Sequence, residues 1–406
     1  MNIYIESYGC TRRKLEVSKF HKYFILNSYV IVQKPEKADI ILITTCAFKH
    51  DEEKESLDAI EKFRKFDARI IVYGCLPDIA PSKYHSKYDY MNISPKNIND
   101  IDNYFEGIKY KFSEIDDVNL IDSKNNYAAL PNAVKKFARN FELSIPFFVK
   151  SCRYVKNKYL TNQQIYYLST GKGCLGNCSY CAVRYAVGSI RSKPIDIIAQ
   201  EFSRGIDAGY KDFSVLGDDV GAYGQERGNT ICELLAALQG EIEKRRGPAL
   251  QVEPRLHIEE INPRWIIKYE KELVDQFAVN NVKSILCPLQ SGNTRILKLM
   301  NRDDDIRHLS DILNNIHDLN PDIELHTQII VGFPTETESE FEDSLTQLSN
   351  VAFKSVILFP YDDKENTDAH KIQPKIHELV IQERIEKAQV FLRQKGIKTA
   401  SCCNEV

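Results

Sequence analysis

The sequence predicts an α/β protein built on parallel sheets. A doubly wound sheet domain comes first, then a partial barrel of six strand–helix units, then a closing helix. Three observations carry that reading. Short apolar runs such as Ile40-Ile41-Leu42-Ile43 have the continuous hydrophobicity of strands buried on both faces. Segments with helical spacing of apolar residues lie between such runs. The alternation resumes near Ile165 and continues through most of the remaining chain. The chain then divides into residues 1–106, a connector over 107–164, a barrel over 165–374, and a helix with its tail over 375–406.

In the first domain, Ile3-Tyr4-Ile5 reads as a strand. Lys14 to Leu26 places Leu15, Phe20, Phe24 and Leu26 among helical apolar positions. Asp51 is suited to cap a helix running to about Phe66. Arg69-Ile70-Ile71-Val72-Tyr73 is a third strand, and βαβαβ order implies parallel pairing. The connector carries turn-forming pieces at Asp116-Asp117, Lys124-Asn125-Asn126 and Leu130-Pro131-Asn132. Within it Val134 to Phe141 reads as a short helix, Ile145 to Phe148 as extended chain, and Cys152 as structural.

The barrel strands are predicted at Tyr166–Ser169, Phe213–Leu216, Arg255–Ile258, Ile285–Leu289, Leu325–Val331 and Ser355–Phe359. Pro194 suits the first turn of one intervening helix, and Thr335 with Glu338 forms a capping box for another. Six units fall short of an eightfold barrel, so an open one is expected. A long amphipathic helix follows from Ile376 to Arg393, and the tail from Ser401, with Cys402 and Cys403, reads as disordered.

Composition narrows the functional classes. Hydrophobic residues are 43% and charged residues 27% of 406, ordinary for a globular protein. The net charge of −3 gives no overall basic field for nucleic acid. No window is apolar enough to span a membrane. Met1-Asn2-Ile3-Tyr4-Ile5-Glu6 lacks the order of a secretion signal. Eleven cysteines without such a signal indicate a cytoplasmic, reducing location.

Two sets of cysteines carry the chemistry. Gly173-Cys174-Leu175-Gly176-Asn177-Cys178-Ser179-Tyr180-Cys181 is a CxxxCxxC run that brings three thiolates to one centre. Soft thiolates suit zinc, copper(I) or an iron–sulfur cluster. A closed zinc site needs four ligands, whereas a four-iron cube on three cysteines leaves one iron open. Cys10, Cys46 and Cys75 each follow a predicted strand of the first domain. Parallel strands end on one edge, where open α/β sheets bind ligands, so these three also converge. The competing readings are zinc or a disulfide for the first set and separate buried thiols for the second.

With both sets in place, residues 1 to about 395 resemble the radical S-adenosylmethionine (SAM) methylthiotransferases. The resemblance rests on Tyr8-Gly9-Cys10, Thr45-Cys46, Tyr73-Gly74-Cys75-Leu76 and the CxxxCxxC run. It extends to Arg191-Ser192-Lys193-Pro194, Leu216 to Gly224, Pro288-Leu289-Gln290-Ser291-Gly292, Met300-Asn301-Arg302 and Ile329 to Glu338. It implies a radical SAM barrel in which Cys174, Cys178 and Cys181 hold one [4Fe-4S] cluster. Cys10, Cys46 and Cys75 would hold a second, auxiliary one. It further implies Tyr180 beside the adenine of SAM, and Gly217, Asp218 and Asp219 at its amino end. Gln290, Ser291 and Gly332 would line the nucleoside, and Arg302 would meet a carboxylate or an anionic substrate. No side chain is assigned as a catalytic acid or base. An external electron donor of flavodoxin or ferredoxin type and a monomeric state are also implied.

The chain departs from that pattern at three places. Arg13 stands where the family carries Asn, and His257 stands where it often carries Arg ahead of Asn262-Pro263. No run of alternating strands remains after the last helix to build the family's small β-barrel. That last departure, with the net charge, leads to the expectation of a peptide or protein substrate and weak tRNA binding. The alternatives are a tRNA-base methylthiotransferase using Arg12, Arg13 and Lys14 as basic surface, and an iron–sulfur electron carrier or sulfur-delivery protein.

Overall fold

A computed structural model of the chain describes residues 1–119, 165–246, 253–279, 281–303 and 305–401. The expected turns at 124–126 and 130–132, the helix at 134–141, the extended piece at 145–148, and Cys152, Cys402 and Cys403 lie outside the described residues. In the first half, β1 (Asn2–Glu6), α1 (Thr11–Leu26), β2 (Val30–Ile31), β3 (Ile40–Thr45), α2 (His50–Phe63), β4 (Arg69–Gly74), α3 (Leu76–Ile79), α4 (Pro81–His85) and β5 (Met91–Ile93) follow one another. The strands form one parallel sheet in the order β2-β1-β3-β4-β5.

The two-residue period of the strands explains why helices cover both faces. Ile41, Ile43, Ile70 and Val72 pack with Ala59, Ile60 and Phe63 of α2. Ile40, Leu42, Ile71 and Tyr73 pack with Phe20, Tyr23 and Phe24 of α1. Helix α1 begins at Thr11, earlier than its apolar pattern indicates, because the first turn is polar. Asp51 does not cap α2: Lys49 is the N-cap, and Asp51 lies in the first turn with Glu52 and Glu53, where the helix dipole favours acids.

The second half runs β6 (Ile165–Ser169), β7 (Gly171–Lys172), α5 (Val183–Val187), β8 (Arg191–Ser192), α6 (Ile195–Asp207), β9 (Asp212–Leu216), α7 (Ile231–Glu243) and β10 (Arg255–Ile258). It continues with α8 (Pro263–Lys268), α9 (Glu270–Val279), β11 (Val282–Leu286), α10 (Thr294–Leu299), α11 (Ile306–Leu319), β12 (Glu324–Val331), α12 (Glu338–Ser349), β13 (Phe353–Pro360), α13 (Glu378–Gln394) and β14 (Lys398–Ser401). The main sheet is parallel in the order β6-β9-β10-β11-β12-β13-β14. Its edge strands β6 and β14 do not pair with each other among the described residues, so the sheet stays open. The six predicted strands are present. β11 lies three residues earlier than expected, before Cys287-Pro288, since Pro288 has no N–H to give a ladder.

Strand β14 is a correction. Its sequence Lys398-Thr399-Ala400-Ser401 lacks apolar alternation, yet it adds a seventh strand beside β13. The capping box also moves, to Thr337 and Glu340, while Thr335 turns the chain at φ +69°. Pro194 is the N-cap of α6 rather than part of its first turn.

The two halves are joined by packing and by ion pairs. Ala182 and Ala186, just after the CxxxCxxC run, belong to the apolar core under α2 and α3. Arg12 reaches Glu260 at 2.6 Å, Glu16 reaches Lys172 at 2.6 Å, and Glu53 reaches Lys364 at 3.0 Å. The edge carrying Cys10, Cys46 and Cys75 therefore faces the edge carrying Cys174, Cys178 and Cys181.

Candidate active site

Each cysteine of the first set is placed by the end of its strand. Gly74 precedes Cys75 with φ +128°, and a Cβ there would lie 2.2 Å from the Thr45 carbonyl oxygen. Only glycine lets β4 turn that closely against β3. Cys46 is fixed by Ser56 of α2, whose hydroxyl accepts from the Cys46 N–H at 2.9 Å and donates to its carbonyl at 2.8 Å. The Thr44 hydroxyl accepts from the Tyr8 N–H at 2.7 Å and donates to the Tyr8 carbonyl at 2.8 Å. It thereby ties the Cys10 loop to β3, the strand just before Cys46. Cys10 is exposed at the N-cap of α1; Cys46 and Cys75 are buried.

The second set wraps around a tight loop after the β7 end. Cys174 Sγ accepts from the Gly176 N–H at 3.0 Å, and Arg302 approaches Cys178 Sγ at 3.8 Å. Asp218 holds the entry to the loop, accepting from the Gly173 N–H at 2.7 Å and pairing with Arg12 at 3.3 Å. Asp219 is buried; it accepts from Trp265 Nε1 at 2.8 Å, Arg264 at 3.3 Å and the Asn262 N–H at 3.3 Å. Both carboxylates are thus engaged by protein donors. Their position after β9 was legible; Arg264 and Trp265 were not singled out, although Asn262-Pro263 marks the helix start that aims them at Asp219.

Burial pushes Cys46, Cys75, Cys174 and Cys181 away from the thiolate form. Desolvation, then Cys10, raises Cys46 to about 12. Desolvation, then Asp219, raises Cys174 to about 12, and desolvation, then Cys178, raises Cys181 to about 11. Cys75 is raised by desolvation and feels both Cys46 and Cys10. The cysteines of each set are electrostatic neighbours, and the buried ones become thiolates most readily beside a bound positive centre. All six thiols are free of disulfides. Among the described residues no three His, Cys, Asp or Glu groups converge on a point as a single ion requires. Each set offers three soft thiol donors, the number a cube with one open iron takes, whereas a closed zinc site takes four ligands.

Beside the second set lies a cavity of about 220 Å³, whose wall includes none of Cys10, Cys46 and Cys75. Cys174, Cys178, Tyr180 and Cys181 line it, with Asp218, Asp219, Gln290 and Arg302. From the first half, Arg12, Ala47, Phe48, Lys49 and Ile79 form the opposite wall. Gln290 Oε1 is buried and has no hydrogen-bond partner among the described residues, so it offers an unused acceptor at this wall. Gln290 also sits at φ +72°, held by bridging to Ile329. Arg302 is not a surface cation. It donates to the Pro288 carbonyl and stays charged in burial beside Tyr180 and Cys178, as a guanidinium does.

Three predicted site residues lie elsewhere. Gly217 is not in the cavity wall; its carbonyl accepts from Arg12 at 2.9 Å. Ser291 is fully buried, 3.4 Å from the Ser344 hydroxyl. Gly332 leaves room for Ile381 of α13, which a Cβ would meet at 2.3 Å, so its glycine serves packing. His257 bonds Ser284 at 2.8 Å and Asp212 at 3.1 Å, a tie between neighbouring strands. Of the basic surface expected at Arg12, Arg13 and Lys14, only the half-buried Lys14 is neither ion-paired across the fold nor fully buried. Arg12 is paired with Asp218 and Glu260, and Arg13 is 2% exposed. Phe48, 50% exposed and edge-on to Phe359 at 5.7 Å, escaped the sequence reading because an exposed aromatic leaves no periodic mark.

Comparison with known proteins places this geometry. Residues 168–348 match the radical SAM superfamily, and residues 2–94 match a family described as uncharacterized protein family UPF0004. A probable threonylcarbamoyladenosine tRNA methylthiotransferase of Pyrococcus horikoshii is 26% identical, over 91% of this chain and 79% of its own. A tRNA-2-methylthio-N(6)-dimethylallyladenosine synthase of Thermodesulfovibrio yellowstonii is 28% identical, over 93% and 80%. Among solved structures, the radical SAM methyltransferase TsrM of Kitasatospora setae superposes with a TM-score of 0.60 at 10% identity, covering 91% of this chain and 76% of its own. The cobalamin-dependent radical SAM enzyme OxsB gives 0.57 at 12%, covering 97% and 56%. These two share the fold.

Proposed function

From a chain that belongs to a radical SAM methylthiotransferase-like family, we propose an enzyme that inserts a methylthio group into an adenosine-type base of tRNA. One observation carries the choice of substrate. Relatives aligned over more than nine-tenths of this chain are named for tRNA bases. The expectation of a peptide substrate rested on net charge and on the chain's C-terminal end, and it yields to that finding.

Cys174, Cys178 and Cys181 are the proposed holders of the [4Fe-4S] cluster of the radical SAM site, and Cys10, Cys46 and Cys75 of an auxiliary cluster. Bound there, the first supplies reductive cleavage of SAM and the second supplies sulfur. The chain's own residues orient and exclude. In this reading Arg302, in the cavity wall, receives the SAM carboxylate or an anionic substrate group, and the free acceptor of Gln290 receives an N–H or hydroxyl. Ala47, Phe48 and Ile79 close the opposite side against water. Phe48, exposed at the rim, is placed to stack on a base taken out of its strand. Asp218 and Asp219 hold the cysteine loop and its surroundings in place through their hydrogen bonds.

The test offers reconstituted protein, SAM and a reductant either bulk tRNA or candidate peptides. Mass spectrometry of nuclease-digested tRNA should reveal an adenosine-type nucleoside heavier by one sulfur and one methylene. Modification of peptide alone would overturn the tRNA reading, and failure to form deoxyadenosine with any substrate would favour an electron or sulfur carrier.

A further inference from the structure

Arg13 is a buried cation beside the first cysteine set, where Arg12 and Lys14 also neighbour Cys10. Its side chain is 2% exposed on the first turn of α1. An ideal Cβ on Gly9 would lie 3.4 Å from Arg13 Cγ and 3.4 Å from Cys46 Cβ, so the arginine stem and that cysteine flank the same point. Its electrostatic neighbours include Cys75 and Cys10. One nitrogen is satisfied: Nη1 meets Glu16 at 2.8 Å and the Tyr73 hydroxyl at 3.1 Å. Nε is buried and has no partner among the described residues. Glu16 is shared with the partly exposed Lys172 at 2.6 Å, so Arg13, Glu16 and Lys172 together carry one net positive charge, with Asp117 near Lys172 and Asp218 near Cys75 as the acidic neighbours.

A buried donor without an acceptor is costly, and it persists where something else provides the acceptor. A charge in a low-dielectric surrounding also stabilises nearby negative charge strongly. We infer that Arg13 is a positioning residue that acts as the buried counter-charge of the auxiliary centre, favouring its more negative states. A cluster held there would be favoured in its one-electron-reduced state. The inference rests on the assignment of Cys10, Cys46 and Cys75 as cluster ligands.

The test uses the full chain with Cys174→Ala, Cys178→Ala and Cys181→Ala, so that only the auxiliary cluster is loaded. Dithionite supplies one electron to that cluster, and its midpoint potential is read by redox-poised electron paramagnetic resonance. Arg13→Gln should move the midpoint to a more negative potential at unchanged iron content. Arg13→Lys, which keeps the charge, should stay near the parent. Glu16→Gln, which exposes the cluster to more positive charge, should move it the opposite way. Opposite shifts within one hydrogen-bonded group are not produced by loosened packing. A loaded cluster whose midpoint ignores both Arg13→Gln and Glu16→Gln overturns the inference alone. A parent that binds no iron overturns the cysteine assignment and the inference with it.

Discussion

At the residue scale, the site depends on a few buried polar groups whose partners can be removed one at a time. Asp219 is the clearest. It is 4% exposed and receives the Trp265 indole N–H at 2.8 Å. Trp265→Phe keeps most of the ring volume and deletes that donor. Leaving a buried carboxylate short of one bond costs on the order of 1–3 kcal/mol. Denaturant unfolding should show a loss in that range, and an unchanged midpoint would mean that Asp219 finds another donor. Glu336 gives a pH-dependent counterpart. Desolvation lifts it to about 7, against the Gly332 N–H and Arg384, which favour its charged form. Its folded value lies above the ordinary carboxylate value near 4.5, so the fold binds this proton more tightly than the unfolded chain. The contribution is therefore full below that ordinary value and is lost as pH rises through about 7. Stability measured from pH 5 to 7.5 should fall less steeply in Glu336→Gln than in the parent. Equal slopes would remove Glu336 as the cause.

At the scale of elements, the strand ends deliver the chemistry, and that much was legible. Ile40 to Ile43 and Ile70 to Val72 announce buried parallel strands, and a cysteine just past each one has to lie at their common edge. What escaped was set by tertiary contact rather than by local pattern. Lys398 to Ser401 has no strand signature and becomes β14 only because β13 offers it an edge. Gly332 and Ser291 look like ligand positions in the sequence, but Ile381 and Ser344, remote in the chain, occupy their surroundings. Arg12 and Arg13 look like basic surface because sequence does not reveal Asp218, Glu260 and Glu16 waiting across the fold. The seat of α13 can be tested at Gly332. A methyl there would lie 2.3 Å from Ile381 at φ +81°. Gly332→Ala should cost about 1–3 kcal/mol through overpacking and backbone strain. An Ile381→Ala background should recover part of that loss; no recovery would assign the whole effect to the backbone.

At the scale of the whole molecule, the two sheets present their carboxyl edges to one cavity, and the pairs Arg12–Glu260, Glu16–Lys172 and Glu53–Lys364 hold that alignment. Two cysteine sets predict two cubes, on the order of eight iron and eight sulfide per chain. Changing Cys174, Cys178 and Cys181 to Ala should leave about half. Zinc in their place after anaerobic preparation would contradict both assignments. The division of labour between the sets is the central claim, and one assay measures it. The Cys10→Ala, Cys46→Ala, Cys75→Ala variant is incubated with SAM, reductant and tRNA, and deoxyadenosine and methylthiolated nucleoside are quantified together. Deoxyadenosine should form while the methylthiolated nucleoside does not. Undiminished methylthiolation by this variant would contradict the account.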